Sequence, residues 1–195
     1  MAWAFGKKAE MGVGVLIVFI AMLLVAAIAA GVLITTVTSL QQKALTTGQE
    51  TKGEISTHIN FVEVSALDGQ DGDLENISMI LRLAAGSDPV DLTDALLTVS
   101  LNNATGNVRY NASLNHSNSN DTARFFNVTY QVSGTENRAG FIVRGDVVLL
   151  KCLPPRDVIE DESVRITFIP KIGTQSIVEF RTPSVISRQN VVLFP

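Results

Sequence analysis

The hydrophobic pattern of the chain changes character twice. From Met11 to Ile34 all 24 positions are apolar or glycine, and the first charge after Glu10 is Lys43. A helix rises about 1.5 Å per residue, so this run extends roughly 36 Å, enough to cross a hydrocarbon core about 30 Å thick. The text that follows, "TTVTSLQQKALTTGQETKGEISTHINF", keeps helical spacing. Val37, Leu40, Ala44 and Leu45 recur at helical intervals, and Ile55 and Ile59 stand four apart. The pattern predicts one helix over residues 10–58. It is weakest near Gly48 and Gly53, where each glycine costs about 1 kcal/mol relative to alanine and the helix can hinge.

From Phe61 onward short segments rich in β-branched and aromatic residues alternate with turn residues. The predicted strands are 60–65, 77–83, 95–101, 107–114, 124–132, 141–150, 163–169 and 176–181. In "RFFNVTYQV" the alternation places Phe126, Val128, Tyr130 and Val132 on one face. "FIVRGDVVLL" reads as a hairpin with Gly145 at its turn or bulge. "LPPRD" (residues 153–157) reads as a turn or loop, because proline donates nothing to a sheet ladder. About eight strands at this spacing predict an all-β sandwich over residues 59–195. The fold class is therefore α+β: a long N-terminal hydrophobic helix followed by a sandwich.

Composition narrows the function. The formal charge is −4, from 15 basic and 19 acidic residues, with no basic patch interleaved with aromatics, so no nucleic-acid partner is expected. A single cysteine, Cys152, excludes an intrachain disulfide and is expected to pack as a small buried or half-buried side chain. Only His58 and His116 are present, too few for a multi-histidine metal centre, and both are expected at the surface without special roles. No nucleophile, base or metal constellation stands out, so an enzyme is not expected.

Two lysines, Lys7 and Lys8, precede the apolar run and no basic cluster closely follows it. The positive-inside rule then places the N-terminus in the cytoplasm and the bulk of the chain outside. Hydropathy alone leaves open whether the run is a retained anchor or a signal. Small residues four apart, Ala26/Ala30 and Ala27/Gly31, would let helices approach closely.

Asn-x-Ser/Thr occurs six times, at Asn76, Asn103, Asn111, Asn115, Asn120 and Asn127, more often than random placement would give. The cluster predicts an N-glycosylated outer face, in agreement with the topology. "DGQDGDLE" (residues 68–75) alternates acids with glycines. Asp68, Asp71, Asp73 and Glu75 are candidate oxygen ligands for a structural calcium ion, although the spacing is not that of an EF-hand and a solvated turn is the favoured reading. No other cofactor is expected. The tripeptide Arg144-Gly145-Asp146 is read as a chance occurrence inside the hairpin.

"KKAEMGVGVLIVFIAMLLVAAIAAGVLI" resembles the N-terminus of archaeal flagellins (archaellins), whose precursors carry a short basic leader and a mature start with glycine third. "VRITFIPKIGTQSIVEFRTPS" (164–184), the terminal "VVLFP" and "LRLAAGSDPVDLTDALLTVS" (81–100) resemble the same family. Placing Gly12 at the third position sets the cut between Ala9 and Glu10, with Lys7 and Lys8 in the leader. The family's residue before the cut is glycine, where this chain has Ala9.

The resemblance implies three parts: a leader, 1–9; a filament-core helix, 10–58; and an immunoglobulin-like outer domain, 59–195. It also implies an extracellular filament that drives swimming, assembled from copies of this chain and other archaellins. The implied helpers are a prepilin-type peptidase, an assembly ATPase and a membrane platform, with the membrane holding the precursor. Two other readings of the residues are a pilus-like adhesive subunit and a single-pass anchored surface sandwich.

Overall fold

The computed structural model describes residues 3–69, 72–113 and 124–195, with side chains from Met11 onward. The chain forms two compact units, Met1–Glu50 and Thr51–Pro195. Helix α1 runs from Trp3 to Ser56.

In the first unit α1 is unbroken, as expected of a run without proline and rich in alanine and leucine. Every described side chain of this unit is exposed, on all sides of the helix. Where the apolar run ends, its hydroxyls turn back onto their own helix. Thr35 donates to Val32 O (2.9 Å), Thr36 to Leu33 O (2.9 Å), Thr38 to Ile34 O (2.8 Å) and Ser39 to Thr35 O (2.9 Å).

The second unit begins with the last turns of α1 and continues as a nine-stranded sheet. Its strands in chain order are β1 (Ile59–Ala66), β2 (Ile77–Leu83), β3 (Val90–Asp91), β4 (Leu96–Ser100), β5 (Thr105–Tyr110), β6 (Phe125–Val132), β7 (Phe141–Ile142), β8 (Val147–Cys152), β9 (Ser163–Ile169), β10 (Ser176–Arg181) and β11 (Val191–Phe194). The spatial order is β10-β9-β4-β5-β6-β8-β2-β1-β11, with β3 and β7 pairing separately. All pairs are antiparallel except β5 with β6, which run parallel at Arg109↔Phe125 and Tyr110↔Phe126. The sheet folds over on itself into a sandwich that nearly closes. Its edge strand β10 comes up to β1, where the Ser176 hydroxyl donates to Ile59 O.

Alternation decides which side chains fill the interior. On β9 Val164, Ile166 and Phe168 are buried between exposed Ser163 and Arg165, and on β8 Val148, Leu150 and Cys152 point inward. They meet Met79 and Leu81 of β2 and Phe126 of β6 in one continuous core. Burying each large side chain stabilises by roughly 1.5–3 kcal/mol.

Strands 77–83, 163–169 and 176–181 stand at the residues predicted for them. Segment 141–150 does not form one hairpin. Its first residues, β7, pair with β3 (Val90↔Ile142), and the chain turns at Val143–Asp146 before β8 pairs with β2 and β6. Gly145 at this corner has φ +88°, a conformation that suits glycine. The predicted common face of β6 also fails at its end. Phe126 and Val128 are buried, but a register shift between Tyr130 and Val132 turns Val132 outward to 54% exposure. Two strands went unpredicted, β3 and β11. Segment 107–114 forms a strand only to Tyr110, and Leu114 lies outside the described residues.

The end of α1 is held to the sandwich by a compact polar joint within the second unit. Thr57 N–H closes the helix on Gly53 O (3.1 Å). Ser87 Oγ accepts His58 N–H (3.0 Å) and donates to Ser56 O (3.1 Å). Thr174 N–H donates to Thr57 O (2.9 Å), and His58 Nδ1 lies 3.0 Å from Thr174 Oγ1. His58 is thus a half-buried part of the joint, not the bystander expected from sequence. Gly173 has φ +120°, and an added Cβ would sit 2.7 Å from Thr57 O. Gly53 tolerates one, with its nearest neighbours Asp88 Oδ2 at 3.6 Å and Ile172 Cγ2 at 3.8 Å. Gly173→Ala should therefore lower the thermal midpoint by roughly 5–10 °C. Gly53→Ala should leave it unchanged or raise it slightly, since alanine favours the helix by about 1 kcal/mol. Differential scanning calorimetry of the two variants checks this pair.

Candidate functional site: the surface of the N-terminal helix

A helix in water normally shows one apolar stripe and one polar face. Between Met11 and Ile34 α1 shows no polar face at all. Sixteen large apolar side chains stand exposed there, among them Val15 (70%), Met22 (70%), Ile28 (68%) and Leu33 (64%). At roughly 1.5–3 kcal/mol for each, leaving them in water costs tens of kcal/mol. That is several times the 5–15 kcal/mol or so that stabilises a typical domain. The helix is long and apolar enough to cross a membrane. Its surroundings must be lipid or other protein.

The surface is shaped for close approach. Gly12, Gly14 and Gly31 have no neighbouring atom within 4 Å of a built Cβ position, so each leaves a notch open to an incoming helix. One shallow apolar groove runs along Met11, Gly14, Val15, Val18, Phe19 and Met22, and a second along Val18, Ala21, Met22, Val25, Ala26 and Ala29. Small residues beside large ones let backbones come near enough for dispersion contacts to accumulate. Of the residues that the resemblance implies for peptidase recognition, Gly12 is exposed on α1, while the side chains of Lys7, Lys8, Ala9 and Glu10 lie outside the described ones.

The sequons are not equivalent. Asn103 sits in the four-residue turn between β4 and β5, closed by Leu101 N–H to Ala104 O (2.7 Å), and both Asn103 and Thr105 are exposed. Asn111 is half-buried and its Oδ1 accepts Ser113 N–H (3.0 Å). Asn127 is half-buried on β6, with Oδ1 accepting Val128 N–H (2.7 Å). Asn76 is engaged: its Nδ2 donates to Asp68 Oδ2 (2.9 Å), and its hydroxyl partner Ser78 is buried on β2 between β1 and β8. Asn115, Asn120 and His116 lie outside the described residues.

Asp68 acts as the clasp of the acidic turn. Its Oδ2 also accepts the backbone N–H groups of Glu75 (3.0 Å) and Asn76 (2.7 Å). Asp71 lies outside the described residues, and among those described no three His, Cys, Asp or Glu side chains are placed to hold a metal ion. Asp73 and Glu75 flank the clasp.

The remaining titratable groups serve local structure. Burial pushes the Cys152 thiol up to about 12, which makes it inert. The Thr93 hydroxyl bond holds the Asp91 carboxyl below its usual range, and the hydrogen bond to Asp94 raises Lys171. Burial raises Tyr110 and Tyr130, and the Tyr130 hydroxyl donates to Phe141 O (2.7 Å). Asp146 of the Arg-Gly-Asp tripeptide is 1% exposed and accepts from Gly134 N–H (2.7 Å), Val143 N–H (3.0 Å) and Asn137 Nδ2 (3.2 Å). It ties a corner together and is not offered to a receptor.

The chain matches the family model for archaeal-type flagellin over residues 9–180. It is 30% identical to Flagellin B1 of Methanocaldococcus jannaschii across 96% of both chains. It is 36% identical to Flagellin B1 of Thermoplasma volcanium over 67% of this chain, and that match spans 55% of the relative's length. Its fold resembles the archaeal flagellum of Methanospirillum hungatei, with TM-score 0.69 at 15% identity, covering 94% of this chain and 99% of that one. It also resembles the crystal structure of an archaeal flagellin from M. jannaschii, with TM-score 0.58 at 18% identity, covering 71% and 97%. These matches bring together the apolar helix and the sandwich behind it: the chain belongs to the archaeal-type flagellin family.

Proposed function

We propose that this chain is a structural subunit of the archaeal flagellum filament, outside the cell, with its precursor held in the cell membrane. The observation that carries the reading is the helix surface from Met11 to Ile34, apolar on every side and exposed in the single chain. Lipid satisfies that surface in the precursor, and identical helices satisfy it in the filament. Passing directly from one to the other avoids the tens of kcal/mol that water would cost. A polymer of identical subunits joined through two different patches grows as an open helix when the rotation between neighbours does not close a ring. The sandwich, joined to the end of α1 through Thr57, Ser87 and Thr174, forms the outer layer. The subunit is structural and carries no catalytic role.

Assembly uses four partners in this reading: copies of itself and other archaellins, a prepilin-type peptidase, an assembly ATPase and its membrane platform. The peptidase cuts between Ala9 and Glu10, on the cytoplasmic side of the apolar run. It discards Lys7 and Lys8 and leaves the helix on the mature chain. Peptidase recognition uses Lys7, Lys8, Ala9, Glu10 and Gly12.

N-glycosylation decorates the outer layer, and the local geometry ranks the sites. Asn103 presents both its amide and the Thr105 hydroxyl, whereas Asn76 spends its amide on Asp68 and hides Ser78.

Two measurements test these points. Leu23→Lys or Ala27→Asp, each placing a charge on the packing surface, should abolish filaments in electron micrographs of producing cells. Normal filaments from either variant would rule out the core-helix account. N-terminal sequencing and glycopeptide mapping of sheared filaments should find a chain that starts at Glu10, with glycan on Asn103 and none on Asn76. A start within the leader, or Asn76 occupied in preference to Asn103, would contradict the respective part.

A further inference from the structure

Attaching a glycan to asparagine is a group transfer. The side-chain Nδ2 attacks the anomeric carbon of a glycosyl phosphate donor. A C–N bond forms and the C–O bond to phosphate breaks. The phosphate leaves with that electron pair, and Nδ2 gives up a proton. The transferase must gather the donor, its own catalytic groups and a seat for the hydroxyl two residues on around a single amide. The fold decides whether that space exists.

Asn127 stands in β6, the fifth of nine strands and so the middle of the sheet. It lies directly opposite Lys151 of β8, and pairing on that side continues through Val128↔Leu150 and Thr129↔Leu149. On the other side β5 pairs at Tyr110↔Phe126, and Asn111 N–H donates to Phe126 O (3.1 Å), which brings Asn111 level with Asn127. Neighbouring strands lie about 4.8 Å apart. Asn127 is therefore hemmed in on both sides by the half-buried Lys151 and Asn111, and its own Oδ1 accepts Val128 N–H (2.7 Å). Drawing it into a catalytic cleft means unpairing β6 and pulling Phe126 (0% exposed) and Val128 (9%) out of the core. For a central strand such an opening approaches global unfolding.

A glycan already in place is nevertheless compatible with the closed sandwich. Phe126 and Val128 face inward, so alternation turns Asn127 and the exposed Thr129 outward. The sugar extends from the outer face and leaves the core intact. Asn103 is in the opposite situation. It and Thr105 are exposed at a turn that one bond, Leu101 N–H to Ala104 O, closes at its base. Fraying of that tip disturbs neither the core nor the central strands.

We propose that Asn127 accepts a glycan only in a chain whose sandwich has not yet closed, whereas Asn103 accepts one in the folded chain as well. The inference rests on the glycosylation reading and adds an order of events to it. Glycan found on Asn127 of a filament dates the transfer to before β6 paired with β8.

The test uses the full chain, made in a host without N-glycosylation and kept in detergent micelles for its apolar helix. Membranes of cells that make this chain supply the transferase and its donor. The folded chain is compared with an unfolded full-length variant, Ile166→Asp with Phe168→Asp, which places two charges in the core far along the chain from both sequons. Near-ultraviolet circular dichroism confirms the two states. Trypsin cutting at Arg82, Arg109, Arg124 and Arg138 leaves Asn103 and Asn127 on separate peptides for mass spectrometry. Folded forms outnumber unfolded ones by roughly a thousandfold or more in a stable domain. Asn127 of the folded chain should therefore be modified at least about a thousandfold more slowly than in the variant, while Asn103 is modified in both. Modification of Asn127 in the folded chain within tenfold of its rate in the variant would overturn the inference. So would an unfolded chain that takes glycan on Asn103 and none on Asn127. No glycan on any sequon of either chain would count against the glycosylation reading itself, and the inference would fall with it.

Discussion

The organisation of this molecule depends on keeping water away from the surface of α1 between Met11 and Ile34. A side chain on the core face of a sandwich strand is covered by its own chain, and Phe126, Phe168 and Leu97 are fully buried. Among the described residues, every side chain of this helix from Met11 to Ile34 is exposed. That asymmetry defines the protein. The second unit folds to satisfy its own residues, whereas the first is completed by its surroundings. Those surroundings must be apolar, and a bilayer and a bundle of helices both meet that condition.

The sandwich is built to be fastened to that helix. Thr57, His58, Ser87 and Thr174 meet at the end of α1, and Gly173 is admitted there because any larger residue would strike the Thr57 carbonyl. Short side chains with two-way hydrogen bonding make the joint specific in geometry, where apolar contacts alone would allow sliding. Force applied along the helix of an assembled filament would reach the outer layer through these few groups. The sandwich also presents Asn103 to solvent in a tight turn, while the Asp68 clasp engages Asn76.

Much of this was legible in the chain. An uninterrupted apolar run marks a helix long enough to cross a membrane, and short β-rich segments bounded by turn residues marked β2, β9 and β10. What escaped has physical causes. β3 is two residues long, below any period, and exists because β7 lies beside it. β11 is an edge strand after a loop, and its register on β1 is set by tertiary contact, with Val64↔Phe194 before an irregularity. The corner at Val143–Asp146 looked like a hairpin because Gly145 permits either arrangement, and the buried Asp146 carboxylate decides between them through groups from Gly134 and Asn137. The roles of Thr57, Ser87 and Thr174 were not readable, since they lie about 30 and 117 residues apart in the chain and meet only in the fold. The hydroxyls of Thr35–Ser39 were visible as letters, but their bonds to carbonyls of their own helix appear only once donors and acceptors are placed.

The measurement that bears most directly on the central claim is a helical reconstruction, by electron cryomicroscopy, of filaments sheared from cells that make this chain. The account predicts a core formed by residues 11–34 of many copies, with each helix packed on all sides by others and the sandwiches arranged outside. A filament whose core is made of sandwiches, with the helices at its surface or facing a water-filled channel, would contradict it.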